Sequence, residues 1–316
     1  GTTNHMDLIW IIAAFLAGLA AKALKLPTLV GYLAAGLVLA LFGIQSNDFI
    51  KAAGDFGVVL LLFTVGLHIS LRSLIQPQVV GVGSIHLTVS TGIFTLVFSA
   101  LGLPLSSAVI LAIALGFSST VLTAKSLDAD GALDSYHGRL AIGILILQDV
   151  VAVILLAFTG GGAPTFWAIG LLALPLLRPL LLRLMYTTGH EELLLIYGLL
   201  LALGAGWLFD LVGLDAKLGA LIAGMLLSGD DRADELYEKL WALKEVFLVG
   251  FFLQVGLAGF PDGRGFAIIA LLLLFLPVKA MMFFALMLLF KLRARTSFLA
   301  TISLTAYSEF ALIVAA

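Results

Sequence analysis

The sequence predicts an all-α polytopic membrane protein, and three observations support that fold class. Hydrophobic residues make up 62% of the 316-residue chain and charged residues only 11%, whereas a typical soluble domain is about 25% charged. The mean hydropathy is +1.17. Apolar runs long enough to cross a bilayer alternate with short polar or Gly- and Pro-containing turns. We expect twelve spans, at residues 8–24, 28–43, 54–70, 78–101, 105–125, 138–158, 163–185, 191–211, 214–229, 236–260, 264–290 and 297–316.

The distribution of lysine and arginine predicts the orientation of these spans. With the N-terminus outside, the outside connections hold only Lys51 and Arg264. Lys217 lies at a membrane edge and Lys279 inside a span. The other thirteen of the 17 basic residues fall on the inside, a bias that indicates an outside N-terminus. These thirteen are Lys22, Lys25, Arg72, Lys125, Arg139, Arg178, Arg183, Arg232, Lys239, Lys244, Lys291, Arg293 and Arg295.

Both ends of the sequence carry expectations about domain organisation. Residues 1–6, GTTNHM, are typical of a cloning remnant, so the transmembrane domain is expected to cover residues 7–316. The sequence stops inside its twelfth span, and we expect a thirteenth span beyond it. The polar stretch 230–245 is expected to form an amphipathic helix with a solvated face that runs into the next span.

Asp149 is the most informative residue for function. It lies in the apolar run LAIGILILQDVVAVILLAF, directly after Gln148. A carboxylate at the centre of such a run costs roughly 2.5 to 3.5 kcal/mol on insertion scales, and it usually faces a bundle interior or a water-filled cavity. We therefore predict an ion site at Asp149, with the amide of Gln148 offering both an acceptor and a donor. The alternative is an aspartate that only joins neighbouring helices.

Two segments rich in small hydroxyl residues predict interrupted helices. Span five contains GFSSTVLTAKSL at 116–127, and span twelve contains TISLTAYSEF at 301–310. In transporters built from inverted repeats, two discontinuous helices bring unwound backbone and helix ends to the ion. The separation of seven spans suits a repeat of spans one to six and eight to thirteen, with residues 163–185 as the linking span. The alternative is that small residues only allow close helix packing.

Lys279 lies in the apolar run LLLLFLPVKAMMFFALMLLF, so its ammonium group needs a protein partner. Asp149 or Glu309 could supply it. Either this pair takes part in transport, or it is a static ion pair that stabilises the bundle. Release of the Lys279 proton during transport would make exchange electrogenic, whereas a permanent charge would leave it electroneutral. Glu309 is either a second site carboxylate or a partner for interrupted backbone, and the sequence leaves these alternatives open.

The sequence lacks the features of an enzyme or a nucleic-acid-binding protein. It contains no cysteine, and its histidines share no metal-ligand spacing. A phosphate-binding loop and a basic face with interleaved aromatics are also missing. An intramembrane hydrolase would need a second aspartate or a serine with its base at matching depth, but Asp149 alone among the aspartates lies deep. We expect no enzymatic activity, no cofactor and no nucleic-acid partner.

These residues resemble the second family of monovalent cation–proton antiporters, and within it the Kef-type potassium–proton antiporters. The resemblance covers the chain from about Leu8 to Ala316, and its most specific motif is the Gln148–Asp149 pair. The other segments that carry it are LPTLVGYLAAGLVL at 26–39, GVVLLLFTVGLHIS at 57–70, GFSSTVLTAKSL at 116–127, GRLAIGILILQDVVAV at 138–153, LGALIAGMLLSG at 218–229, FFLQVGLAGF at 251–260 and SEFALIVA at 308–315.

The resemblance implies a core domain that moves like an elevator against a dimerisation domain. It places the bound cation and proton at Asp149, beside Gln148. We expect the core around 54–158 and 236–316 and the dimerisation scaffold around 8–43 and 191–229, and therefore a homodimer. The other site residues are expected in two crossed interrupted helices and near them, with Ser119 and Thr120 at the cation and Ser118, Ser308, Glu309 and Lys279 in support.

Two departures limit what the resemblance implies. Many members carry an acid after the Gly-Leu of span three, where this chain has His68. The nucleotide-binding regulatory domain that often follows the thirteenth span is not part of this sequence, so a nucleotide is expected only where such a domain, on the same or a separate chain, is present.

We therefore predict a secondary active antiporter of the bacterial cytoplasmic membrane. It would exchange a monovalent cation, potassium by resemblance to members with a glutamine–aspartate pair, for protons by competition at Asp149. Members with an asparagine–aspartate or paired-aspartate motif are similar to sodium exchangers. The alternatives are a sodium–proton antiporter and a regulated, channel-like potassium efflux protein.

Overall fold

A computed structural model describes residues 3–159, 164–259 and 263–305. In these ranges the chain is helical throughout, as predicted. The helices are α1 (Thr3–Ala23), α2 (Thr28–Leu41), α3 (Asp48–Leu67), α4 (Leu71–Leu74), α5 (Pro77–Ala100), α6 (Leu105–Gly116), α7 (Thr120–Ala129), α8 (Tyr136–Thr159), a 3₁₀ helix (Phe166–Leu177), α9 (Arg178–Thr187), α10 (Glu192–Leu211), α11 (Ala216–Leu227), α12 (Asp231–Leu257), α13 (Gly263–Leu289) and α14 (Ala294–Leu304).

Several of these helices are suited to a bilayer. In the described part of the chain, five stretches are long and apolar enough to cross it: Asp48–Leu67, Pro77–Ala100, Phe166–Thr187, Glu192–Leu211 and Asp231–Leu257. Shorter apolar helices cover Leu8–Ala23, Thr28–Leu41, Ala216–Leu227 and Leu273–Leu289. The polar segment 230–245 does run into the next span as one continuous helix, α12. The count of twelve spans and the inverted repeat stay predictions.

Short polar side chains fix where several helices begin. The side chain of Asn47 accepts a hydrogen bond from the backbone N–H of Ile50 at 2.9 Å, which caps α3. Asp215 and Asp230 cap α11 and α12 in the same way. Such caps satisfy N–H groups that have no partner within the helix, and each is worth roughly 1 kcal/mol.

Two arginines satisfy carbonyl groups near helix ends. Arg178 donates to the carbonyls of Leu226 and Ser228, both at 3.0 Å. Arg232 is buried and donates to the carbonyl of Met185 at 3.2 Å. The last carbonyls of a helix lack intrahelical partners. These two residues therefore hold α9 and α11 in place in addition to contributing to the basic bias of the predicted inside.

Glycine allows one set of helices to pack backbone against backbone. A Cβ atom at Gly36 of α2 would lie 2.3 Å from the carbonyl oxygen of Leu253 in α12, and one at Gly256 would lie 2.2 Å from that of Leu33. No side chain fits at such distances, so the two helices depend on the paired glycines for their approach.

The same arrangement recurs between four further helix pairs. Added Cβ atoms would meet backbone at 2.1 Å for Gly224 (α11 on α3), at 2.3 Å for Gly31 (α2 on α1), at 2.5 Å for Gly219 (α11 on α10) and at 2.6 Å for Gly57 (α3 on α12). The result is a continuous row in the order α1, α2, α12, α3, α11, α10, which we call the glycine-packed row.

The remaining long helices pack through side chains. Helices α5, α6, α8, α13 and α14 contact one another, and we call them the site group. In this group an added Cβ atom would meet side chains instead of backbone. A Cβ atom at Gly83 would lie 2.6 Å from the side chain of Leu147, and one at Gly143 would lie 3.0 Å from that of Val79. Helix α7 lies between the two sets and packs against α3, α8 and α14.

The division expected from the sequence, with a core around 54–158 and 236–316 and a scaffold around 8–43 and 191–229, stays a prediction. In the structure, α3 and α12 lie in the middle of the glycine-packed row. Backbone contacts at Gly57, Gly224 and Gly256 join them to each other, to α11 and to α2. Which set moves stays a prediction.

The glycine contacts lead to a first test. We expect Gly224→Ala to lower the melting temperature of the purified protein clearly, because the new methyl group would overlap the Phe63 carbonyl and overpacking costs roughly 1–3 kcal/mol. Gly92→Ala in α5 is the matched control, since nothing lies within 4 Å of its added Cβ. Equal melting temperatures for the two variants would contradict tight backbone packing between α3 and α11.

Candidate functional site

The predicted interruption of span five is present. Helix α6 ends at Gly116 and α7 begins at Thr120, and Phe117 and Ser119 between them have extended backbone, with ψ angles of 149° and 115°. Residues 115–119 are buried. Unpaired backbone groups are costly where no water reaches, so an interruption at this depth requires partners from other helices.

Gln148 of α8 supplies two of those partners. Its side-chain oxygen accepts a hydrogen bond from the backbone N–H of Ser118 at 2.9 Å. Its side-chain nitrogen donates to the carbonyl oxygen of Gly116 at 3.5 Å. Gln148 is 1% exposed. A side-chain amide can accept on one side of the interruption and donate on the other, whereas an ionised carboxylate accepts only.

Lys279 of α13 supplies a third partner. Its ammonium group donates to the carbonyl oxygen of Phe117 at 2.7 Å, and the residue is fully buried. The lysine singled out from the sequence therefore contacts the interrupted backbone directly. Its expected pairing with a carboxylate stays a prediction, and Glu309 lies outside the described residues.

Asp149 lies beside the first turn of α7. Its carboxylate oxygen Oδ2 accepts a hydrogen bond from the Thr120 hydroxyl at 3.3 Å. The residue is partly buried, and Thr120 is the first residue of α7. The N-terminus of a helix carries a partial positive charge. Helix α7 therefore stabilises a negative charge on Asp149.

Ser119 has a local role that the sequence did not indicate. Its hydroxyl oxygen accepts a hydrogen bond from the backbone N–H of Leu122 at 3.3 Å, which makes it the N-cap of α7. This bond fixes the start of α7 next to Asp149. A direct role for Ser119 at a cation stays a prediction.

The end of α14 contacts the same interruption. The Ser118 hydroxyl donates to the carbonyl oxygen of Leu304 at 2.7 Å, and the Thr123 hydroxyl donates to that of Ser303 at 2.6 Å. Both carbonyls lie in the last turn of α14. The second interrupted helix was expected just after this point. Two predicted site residues of that second helix, Ser308 and Glu309, lie outside the described residues.

The structure thus brings six predicted residues to one place. These are Ser118, Ser119, Thr120, Gln148, Asp149 and Lys279. Sequence reasoning missed the carbonyl of Phe117 and the hydroxyl of Thr123, although the latter lies in the small-hydroxyl segment that predicted the interruption. Among the described residues, no group of three or more His, Asp or Glu side chains could hold a metal ion. The single carboxylate of Asp149, with the Thr120 hydroxyl beside it, can hold one proton or one positive charge.

Comparison with known proteins gives consistent matches. Residues 11–316 match the family described as "Sodium/hydrogen exchanger, transmembrane". The chain is similar to the putative cation/proton antiporter YbaL of Escherichia coli K12, with 30% identity over 96% of this chain and 61% of that protein. It is also similar to the glutathione-regulated potassium-efflux system protein KefC of Shigella flexneri and of Klebsiella pneumoniae strain 342, with 29% and 30% identity over 87% of this chain and 48% of each protein.

The chain therefore spans between about half and three fifths of the length of these relatives. The matches confirm the resemblance that the Gln148–Asp149 pair and its companion segments indicated. With nearly all of its residues matched, the chain belongs to the sodium/hydrogen exchanger family of transmembrane proteins.

Proposed function

We propose that the protein is a secondary active antiporter that exchanges a monovalent cation for protons at Asp149. The observation that supports this most is the position of the Asp149 carboxylate at the start of α7, beside an interruption held by Gln148 and Lys279. A carboxylate within a membrane span, next to interrupted backbone, is how inverted-repeat transporters build an ion site. We propose no enzymatic reaction.

Exchange follows from competition for one carboxylate. A proton on Asp149 removes the negative charge that a cation needs, and a bound cation disfavours protonation. The Thr120 hydroxyl donates to the empty carboxylate and can rotate to offer its lone pairs to a cation instead. Cation and proton therefore leave and enter the site alternately.

Alternating access requires that the site group moves relative to another part of the protein. The glycine-packed row is the better fixed part, because a shift between two backbones in contact would open a gap or produce a clash. The site group meets its surroundings through side chains, which can adopt new contacts. In this proposal the protein is a homodimer of the bacterial cytoplasmic membrane, with its N-terminus outside.

Potassium is the proposed cation. Both hydrogen-bonding ends of Gln148 are engaged by backbone, which leaves Asp149 as the charged ligand for a single monovalent ion. The names of the KefC relatives, potassium-efflux systems, also favour potassium. Sodium–proton antiport and channel-like potassium efflux are the competing proposals.

The assignment of Asp149 can be tested in proteoliposomes. We expect addition of potassium to dissipate an imposed pH gradient in wild type, and Asp149→Asn to reduce the rate to that of protein-free liposomes, because an amide binds neither a proton nor a cation strongly at neutral pH. Asp210→Asn, an exposed acid near the end of α10, is the matched control and should retain exchange.

The same assay separates the competing proposals. A response to sodium rather than potassium would replace the potassium assignment. Potassium flux without proton movement would indicate a channel. Exchange retained by a correctly folded Asp149→Asn protein would refute the site itself.

The contact between α7 and α14 gives a further test. We expect Thr123→Val to lower both the melting temperature and the exchange rate, because it removes a buried hydrogen bond of roughly 1 kcal/mol and leaves the Ser303 carbonyl without that donor. Thr88→Val is the control of equal shape, since the exposed Thr88 hydroxyl donates only to Ser84 in its own helix. Normal exchange in Thr123→Val would show that transport does not depend on the link between the two helices.

A further inference from the structure

A cluster of charges joins α7 to α12 at a distance from the ion site. The ammonium group of Lys244 lies 2.5 Å from Oδ2 of Asp128. The Tyr237 hydroxyl donates to the other oxygen of the same carboxylate at 2.6 Å. Both oxygens of an α7 carboxylate are therefore held by α12, on which Tyr237 and Lys244 are seven residues apart and share a face.

A second pair lies beside the first. Lys125 of α7 lies 2.5 Å from Glu245 of α12, and Glu245 lies 3.6 Å from Lys244. Charges of opposite sign thus alternate between the two helices, and the four together are neutral. We call Lys125, Asp128, Lys244 and Glu245 the charge clasp.

The first pair of the clasp is buried and the second borders a cavity. Side-chain exposure is 0% for Lys244 and 3% for Asp128, against 13% for Lys125 and 32% for Glu245. An unpaired charge at such depth is strongly unfavourable. A cavity of about 380 Å³ between α2, α7 and α12 is lined by Lys125, Asp128 and Glu245. Three of the four charged side chains of the clasp therefore border this cavity.

The clasp also differs in kind from the other contacts of α12. Helix α12 meets α2 and α3 through glycine backbones, as at Gly57 and Gly256. Helix α7 instead reaches α12 through the long side chains of the clasp. Within the clasp, the partly exposed Lys125–Glu245 pair costs less to break than the buried Lys244–Asp128 pair. The joint between α7 and α12 therefore depends on side-chain ion pairs, unlike the backbone contacts of α12 with α2 and α3.

A further contact extends the clasp to two more segments. The ring of His68, at the end of α3, contacts the ring of Tyr237 edge-on, with 4.7 Å between centroids. His68 Nδ1 lies 3.1 Å from both carboxylate oxygens of Asp134, in the turn before α8. The residue at which this chain departs from the acid of many family members therefore supports the clasp.

We propose that the clasp residues are positioning residues for transport, which hold α7, and with it the Thr120–Asp149 contact, in the conformation seen here and separate once in each cycle. This inference rests on the alternating access of the proposed function. None of the four touches the cation. They act by setting how often α7 and α12 come apart.

The test uses the absence of cysteine from the chain. Leu248→Cys places one thiol at a position that is 2% exposed, lines the cavity and follows Lys244 by one helical turn. In lipid nanodiscs, its rate of labelling by a water-soluble maleimide reports separation of α7 from α12. Glu245→Lys, introduced into the Leu248→Cys protein, should raise the labelling rate about fivefold or more. Lys125 then faces only lysine charges on α12, so local opening becomes more frequent.

Two variants make the result specific. Lys125→Glu combined with Glu245→Lys restores the pair in reverse and should return labelling to within about twofold of the Leu248→Cys parent. Glu238→Lys, an exposed charge reversal on the same helix, should leave the rate unchanged. An unchanged rate in Glu245→Lys, failure of the reversed pair to restore it, or an equal rise in Glu238→Lys would each overturn the proposal.

Exchange measured on the same proteins distinguishes this proposal from the proposed function. We expect the maximal exchange rate to change in Glu245→Lys and to recover with the reversed pair. If labelling follows the expected order but the parent shows no exchange, the clasp stands as a conformational contact and the antiport proposal fails. If exchange is present and labelling does not respond, the clasp is overturned while the antiport proposal stands.

Discussion

The need to satisfy interrupted backbone inside an apolar bundle determines how this structure is built. Between Gly116 and Thr120 the chain leaves the helix in a layer where residues 115–119 are buried. Each backbone polar group without a partner at such depth costs several kcal/mol. Gln148 and Lys279 meet that requirement from two different helices, and the Ser118 hydroxyl joins the interruption to the end of α14. The interruption beside Asp149 therefore holds α8, α13 and α14 next to α6 and α7.

Two modes of packing divide the rest of the protein. Glycine contacts such as that of Gly224 on α3 leave no volume for adjustment, and a close-packed backbone contact transmits displacement instead of absorbing it. Side-chain contacts such as that of Gly83 with Leu147 can change rotamer. The proposed alternating access, in which one part stays fixed while another exposes Asp149 to either side of a membrane, would need both modes. The boundary between them passes through α7.

A site residue could be predicted from the sequence when its chemistry differs from that of the span in which it lies. Asp149 and Lys279 stand out because each is charged within an apolar run, and the hydroxyls of 116–127 marked the interruption. The contact of Lys279 with the Phe117 carbonyl was not predictable, because every residue carries a carbonyl. Lys244 was counted only among the basic residues of the predicted inside. The sequence feature that could have indicated a role for Lys244 is Tyr237, which lies seven residues earlier and therefore on the same face of the helix.

The place of α3 and α12 in the glycine-packed row could not be read from the sequence, because a glycine reveals a close approach only once its neighbour is known.

Helix α7 is the element on which site and clasp converge. Its first residue, Thr120, contacts Asp149, and Asp128, eight residues later, is held by Lys244. Eight residues of α-helix span about 12 Å, and a helix of this length behaves as a short rigid rod. In the proposed mechanism, a change at one end of α7 is therefore transmitted to the other. Occupation of Asp149 by a cation or a proton would alter the charge at the start of α7, and opening of the clasp would free its end. Coupling between an ion and a domain movement needs one rigid element with a partner on each side, and α7 contacts Asp149 at one end and Lys244 at the other.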